Sequence, residues 1–291
     1  MQRLIECGCE VIPNPFKRKL TKQELLELLT ADVRGLIAGL EPLDRDVLKQ
    51  SSLRAISRCG VGMSNVDLKA AKDLGIAVFN TPSGPTTAVA ELTLAVLLAL
   101  LRRVPQVHMA LQKGKWEKYI GTELRGKDVA VIGFGRIGQR VAHLLSAFGA
   151  RVMGVDPLFS GEIEGVHMVN LERALNRADI ITLHCSGENC VIGESELGMT
   201  KKGVFLLNAA RGGVIDEQAL MRALDDGRVA GAWLDSFSSE PYNGPLQNYE
   251  QVILTPHMGS YTRECRKQME LEAVTNLIKA LERCQQDSNE N

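Results

Sequence analysis

The chain has 291 residues, 45% hydrophobic and 24% charged, an ordinary globular balance with room for two domains and a core in each. A formal net charge of −1 argues against strong attraction to nucleic acid or anionic membrane. The seven cysteines include no C-x-x-C pair, and Cys185 and Cys190 lack the second ligand pair of a zinc site, so no metal is expected and buried thiols in a reducing, cytoplasmic setting are.

The opening Met1-Gln2-Arg3-Leu4-Ile5-Glu6 holds no long apolar core, so a signal peptide is not expected. Short apolar runs predict strands at residues 10–12, 35–38, 55–58 and 77–79. Helices are predicted between them at residues 22–29, 44–50 and 67–74, the last closed by Gly75 as its C-terminal cap. The basic run Lys17-Arg18-Lys19 precedes a helix start at Thr21 and is assigned to a solvated loop rather than to a nucleic-acid patch. Asn80-Thr81-Pro82-Ser83-Gly84-Pro85 is dense in turn formers and interrupts the rhythm. The most hydrophobic stretch, residues 88–101, contains Glu91 and is short for a bilayer, so a buried interdomain or dimer helix is expected.

Beyond it the predicted strands become more apolar, at residues 128–132, 152–155, 180–183, 203–207, 231–234 and 252–254. A last helix at residues 263–283 is long enough to return to the first domain, and residues 285–291 read as a disordered tail. Strands that alternate with helical patterns specify an α/β fold, with parallel sheets covered by helices on both faces.

The strand Val129-Ala130-Val131-Ile132 runs into Gly133-Phe134-Gly135-Arg136-Ile137-Gly138, and a helical pattern follows at residues 139–148. Gly133 permits a tight turn, Gly135 lets backbone approach a pyrophosphate, and Gly138 lets helix pack close to strand. A lone G-x-G-x-x-G is weak, but here the next strand ends in Asp156, placed to hydrogen-bond ribose hydroxyls and to repel a 2′-phosphate. A dinucleotide site that prefers NAD over NADP is expected.

Further on, Arg211, Glu240 and His257 each follow an apolar run, so each is expected on a loop at a strand end. Arginine's planar fork matches a carboxylate bidentately. Imidazole exchanges protons near neutral pH, and a carboxylate beside it fixes its tautomer, the role expected of Glu240 toward His257. His108, His143 and His167 are left as structural.

These residues sit in ordered motifs: Cys59-Gly60-Val61-Gly62 with Asn65-Val66-Asp67, Ala90-Glu91-Leu92, Leu183-His184-Cys185, Asn208 through Asp216, Gly231-Ala232-Trp233-Leu234-Asp235, Glu240-Pro241 and Thr255-Pro256-His257. Together with the glycine fingerprint they make the chain resemble the D-2-hydroxyacid dehydrogenase family, and within it the phosphoglycerate dehydrogenase-like members. The resemblance covers residues 4–281. It implies two doubly wound parallel-sheet domains: a Rossmann NAD-binding domain at residues 83–262, inserted in a flavodoxin-like substrate domain at residues 1–82 and 263–291. It further implies that Arg211 grips a substrate carboxylate with help from N–H groups around Val61 and Gly62. His257 would exchange the C2 hydroxyl proton, and Glu240 would pair with it. Asp235 would hold the nicotinamide carboxamide, while Arg136, Ile137, His184, Cys185, Ala209, Arg211, His257 and Gly259 would complete the cofactor contacts. The partner implied is a small 2-hydroxy or 2-oxo acid, and the helix after Thr86 resembles the family's homodimer helix. A NAD(H)-responsive binding protein without turnover, as corepressor relatives are, is the alternative.

The pattern is broken in three places. The family opens with a strand and helix before the segment like residues 4–12, so the first domain is expected to lack its first strand, through an N-terminal truncation. Ala38-Gly39-Leu40-Glu41-Pro42 stands where phosphoglycerate dehydrogenases carry basic or hydroxyl side chains, and Glu41 would oppose a substrate phosphate. Ser186-Gly187-Glu188-Asn189-Cys190 replaces a proline-containing stretch beside the cofactor site. The short C-terminus leads us to expect no regulatory domain.

Overall fold

A computed structural model describes residues 2–289 apart from Ser64 and Glu188, with side chains described as far as Arg283. The chain divides into two compact units, Met1–Pro85 with Thr262–Asn291, and Thr86–Tyr261.

The first unit contains α1 (Gln2–Glu6), α2 (Lys22–Leu28), β1 (Gly35–Ala38), α3 (Arg45–Gln50), β2 (Ala55–Arg58), α4 (Leu68–Asp73) and β3 (Ala77–Phe79). Its described strands form one parallel sheet in the order β1-β2-β3. Side-chain alternation sorts the strands between two cores: Ala38, Ile56 and Val78 face the α2, α3 and α4 side, while Ile37, Ala55 and Phe79 face the C-terminal helix. The helix starts follow sequence chemistry. Thr21 and Glu24 make a reciprocal capping box on α2, and the Asp44 and Asp67 carboxylates accept first-turn N–H groups of α3 and α4. Gly75 adopts φ +70 just past α4, as its C-terminal position predicts.

Two expectations fail here. Residues 10–12 are coil, because Pro13 and Pro15 follow at once and remove ladder donors, and Ile12 is left exposed. At the other end, the helix after Thr262 continues to Asn289 instead of ending near Arg283, so most of the expected tail is helical; Glu290 and Asn291 lie outside the described residues. Arg18 of the basic run is not a free cation, since its guanidinium pairs with Glu24 at 2.6 Å and lies over the Phe16 ring.

The second unit begins on α5 (Pro85–Leu101) and α6 (Val104–Gln112) and continues through β4 (Asp128–Ile132), α7 (Arg136–Ala147), β5 (Arg151–Val155), β6 (Glu162–Ile163) and β7 (Val166–Met168). After these come α8 (Leu171–Arg177), β8 (Ile180–Leu183), α9 (Glu194–Met199), β9 (Val204–Asn208), α10 (Glu217–Asp225), β10 (Val229–Leu234) and β11 (Val252–Leu254). The returning helix of the first unit is α11 (Arg263–Asn289). Among the described residues, eight strands form one sheet in the order β11-β10-β9-β8-β4-β5-β7-β6, parallel except for the β6–β7 hairpin. That hairpin was not anticipated, although Glu164 and Gly165 at φ 49 and φ 79 supply the left-handed pair its tight turn needs.

On β4, Val129 and Val131 enter the core beneath α5 and α7, and Ala130 and Ile132 enter the core beneath α8, α9 and α10. Burial on both faces explains why these strands read as unbroken apolar runs. The order reverses at β4, with β5 on one side and β8 on the other. An open doubly wound sheet binds its ligand outside the carboxyl ends of the strands at such a reversal. No helix of the described residues is long and apolar enough to cross a membrane.

Candidate active site

The glycine fingerprint forms the turn from β4 into α7, at the strand reversal. Gly133 adopts φ +89, and its N–H donates to Val155 O at 2.8 Å. A Cβ on Gly133 would collide with the His184–Cys185 backbone at the end of β8, and a Cβ on Gly138 would collide with the Gly133 carbonyl. At Gly135 no atom lies within 4 Å of where a Cβ would be, leaving an open cradle. Gly135 caps α7 without a side-chain hydrogen bond, so the cap offers no acceptor to the first-turn N–H groups near Arg136, Ile137 and Gly138. Arg136 is exposed, Ile137 half-buried and Gly138 buried.

Asp156 ends β5, where the sequence placed it. Its carboxylate accepts from Phe134 N at 2.8 Å and Leu158 N at 2.9 Å, which leaves lone pairs for hydroxyl donors. His184 and Cys185 extend β8 toward the same turn. Burial pushes the His184 ring down to about 3 and pushes the Cys185 thiol up. His184 Nδ1 is shielded from solvent and has no partner among the described residues, although the residue as a whole is only half-buried. An open cradle, an uncapped helix start and an aspartate after β5 suit a dinucleotide, which when bound provides a nicotinamide that accepts or gives up hydride.

The expected pairing of His257 with Glu240 is present. His257 Nδ1 lies 3.1 Å and 3.0 Å from the two carboxylate oxygens of Glu240. Glu240 Oε1 in addition accepts from Phe237 N at 3.1 Å. His257 itself sits at φ 52, a left-handed conformation that a non-glycine residue keeps only when its surroundings enforce it.

The enforcement comes from Asp235, which is 4% exposed. Its carboxylate accepts from Thr255 Oγ1 at 2.6 Å, Met258 N at 2.9 Å and Gly259 N at 2.8 Å, gripping the loop on both sides of His257. Trp233 Nε1 donates to Thr255 Oγ1 at 2.9 Å and completes the chain. Asp235 had been expected as a nicotinamide contact; it is first the anchor of the histidine loop, with about one lone pair left for another donor. Gly259 fits because a Cβ there would press on Asp235 Oδ2 and Val89 at 3.1 Å.

Arg211 follows β9 on a loop braced by Asn208, whose side chain donates to Arg211 O at 2.9 Å and accepts from Ala210 N at 3.0 Å. Arg211 Nη1 donates to Ala210 O at 2.9 Å, and Ala209 beside it is half-buried. A Cβ on Gly212 would strike the Phe237 carbonyl, so the arginine loop lies directly against the turn that carries Glu240. The bracing roles of Asn208 and Thr255 were not foreseen. Both lie inside the quoted motifs, but short polar residues near a strand end signal only a turn.

Val61 and Gly62 belong to the first unit. Asn80 Nδ2 donates to Val61 O at 2.9 Å, and Gly60 N donates to Thr81 Oγ1 at 2.7 Å, so the loop is pinned by the turn residues after β3. In the same unit the Glu41 carboxylate folds back to accept Gly39 N at 2.7 Å, and Asn65 Nδ2 donates to Glu41 O at 2.7 Å. Of the altered stretch after Cys185, Glu188 lies outside the described residues.

Comparison with known proteins gives the family to which this fold belongs. Residues 94–259 match the model of the D-isomer specific 2-hydroxyacid dehydrogenase NAD binding domain. The chain belongs to the D-isomer specific 2-hydroxyacid dehydrogenase family. The D-3-phosphoglycerate dehydrogenase of Sus scrofa is 40% identical over 273 residues, 90% of this chain and 51% of that protein. The chain thus spans about half the length of the curated relatives it matches. Among solved structures, the TT0316 protein of Thermus thermophilus superposes with a TM-score of 0.87 at 35% identity, over 97% of this chain and 93% of that one. A D-lactate dehydrogenase of Aquifex aeolicus, solved with NAD and lactic acid, gives 0.81 at 26% identity, over 98% and 93%.

Proposed function

We propose that this chain is an NAD-dependent oxidoreductase that moves a hydride between nicotinamide and C2 of a D-2-hydroxy acid or its 2-oxo counterpart. The observation that carries the reading is the His257–Glu240 pair at 3.0 Å, held by Asp235 in the unit that also bears the glycine cradle. In this reading Thr86–Tyr261 is the NAD-binding domain, and Met1–Pro85 with Thr262–Asn291 is the substrate domain. Glu240 holds Nδ1, so His257 presents Nε2 to the C2 oxygen and takes or returns its proton there. Arg211 clamps the substrate carboxylate and fixes C2 for transfer. Gly133, Gly135, Gly138 and Asp156 hold the dinucleotide, with Arg136, Ile137, His184, Cys185, Ala209 and Gly259 beside them. The remaining lone pair of Asp235 accepts from the nicotinamide carboxamide.

The D-3-phosphoglycerate dehydrogenases share much of the chain, yet Glu41 occupies the segment where the resemblance expects basic or hydroxyl side chains for a phosphate. On that ground the acid is proposed to be one without a phosphate. A panel of 2-oxo acids with NADH, including a phosphorylated one, tests both statements through loss of reduced-cofactor absorbance. No turnover with any acid despite NADH binding would sink the dehydrogenase reading; fastest turnover of the phosphorylated acid would sink only the assignment of substrate.

We also propose a cytoplasmic homodimer built on α5 and the segment after it. Free thiols at Cys7, Cys9, Cys59, Cys185, Cys190 and Cys265 support the compartment. Exposed Val104, Met109, Leu111, Trp116 and Ile120 support the partner surface.

A further inference from the structure

At the amino ends of β9, β10 and β11, the opposite end of the sheet from the candidate active site, the second unit holds a cavity of about 300 Å³. Its floor is apolar: Leu100, Leu224 and Val229 are buried there, and the Phe205 ring is half-buried. A Cβ on Gly231 would come within 3.0 Å of Leu100 and 3.4 Å of Phe205, so the glycine lets both side chains pack against β10. The rim is charged. Arg103 joins α5 to α6 in a left-handed turn at φ 51, and its guanidinium lies over the Tyr119 ring, 5.8 Å from the centroid. At the other end of that ring the Glu117 carboxylate accepts the Tyr119 hydroxyl at 2.8 Å and, with the Glu250 carboxylate nearby, holds the phenol above its ordinary range. Gln106 of α6 donates to Glu250 O and ties the rim to the turn before β11. Arg103 and Glu250 are both exposed, and neither forms an ion pair among the described residues.

A cavity with an apolar floor and a few convergent polar groups is the form of a small-molecule site, and this volume lies at the small end of that class. A guanidinium and a carboxylate on one rim, not paired with each other, match a ligand that carries both charges. An α-amino acid carries them on one carbon and projects its side chain away from both. A phosphate would leave the floor unmatched, and a hydrocarbon would leave the rim unmatched. We propose that this cavity binds a free α-amino acid with an apolar side chain, its carboxylate on Arg103, its ammonium on Glu250 and its side chain on Phe205. The site goes beyond the dehydrogenase reading and does not depend on it.

Isothermal titration with L-leucine tests this against three probes that each lack one feature. 4-Methylpentanoate has no ammonium, 3-methylbutylamine has no carboxylate, and glycine has no side chain. Leucine is expected to saturate one site per chain and to bind at least about 10-fold more tightly than each of the three. Arg103→Gln should weaken leucine about 10-fold and leave 3-methylbutylamine unchanged, whereas Glu250→Gln should weaken leucine equally and leave 4-methylpentanoate unchanged. No saturable binding of leucine to the unmodified protein, as when a second copy fills the cavity, overturns the inference. Leucine binding no more tightly than the probes, or equally to both variants and the unmodified protein, overturns it as well. The ranking of the four ligands on the unmodified protein needs neither variant to fold.

Discussion

At His257 two requirements meet: the ring must keep one nitrogen on Glu240, and its backbone must stay left-handed at φ 52. The first is side-chain chemistry; the second is met by Asp235 through Met258 and Gly259. We expect His257→Ala to lower turnover about 100- to 10,000-fold while NADH affinity measured by fluorescence stays nearly unchanged. Equal loss of both would make the residue structural. His184 makes a separate prediction about stability. The unfolded chain's histidine takes up a proton near pH ~6.5, whereas the folded ring refuses it until about 3, so stability is lost as pH falls through that window. The slope from this group is at most about 1.4 kcal/mol per pH unit. Denaturant titrations between those pH values should show a shallower decline in His184→Gln, and an unchanged decline would count against a neutral buried ring.

The elements place these residues by a simple device: each candidate loop leaves the carboxyl end of a parallel strand. β9 delivers Arg211, β10 delivers Glu240 and β11 delivers His257. This was legible beforehand because the strands are apolar on both faces and stand out in the sequence. What brings their loops together is finer. Gly212 lies so close to the Phe237 carbonyl that no side chain fits. We predict that Gly212→Ala pushes the Arg211 loop away from the Glu240 turn and lowers kcat/KM about 100-fold, mainly through substrate KM. Retention of full activity would mean that the two loops move independently. The β6–β7 hairpin and the coil at residues 10–12 were misjudged for opposite reasons. Strands of two or three residues carry too little periodicity to announce themselves, and a short apolar run beside Pro13 carries too much.

At the scale of the whole molecule, each unit buries a core on both faces of its own sheet. Apolar side chains at Trp116 and Ile120 remain 81% and 98% exposed, more than a lone copy has reason to leave in water. Sedimentation should show a dimer that Ile120→Asp converts to monomer; a monomer from the start would remove the homodimer proposal. The sequence by itself determined the α/β class and the position of the glycine turn, and it singled out Arg211, Glu240 and His257 as candidates. It could do so because strand periodicity, glycine spacing and ionisable side chains are local properties written within a few residues. Only the tertiary structure decided that Asp235 anchors the histidine loop, that Asn208 braces the arginine loop, that Gly212 sets it against the Phe237 carbonyl, and that Thr182 meets His184 Nε2. Those facts depend on which backbone groups meet across neighbouring strands, and hydrogen bonds of that kind have no signature in the order of residues along one chain.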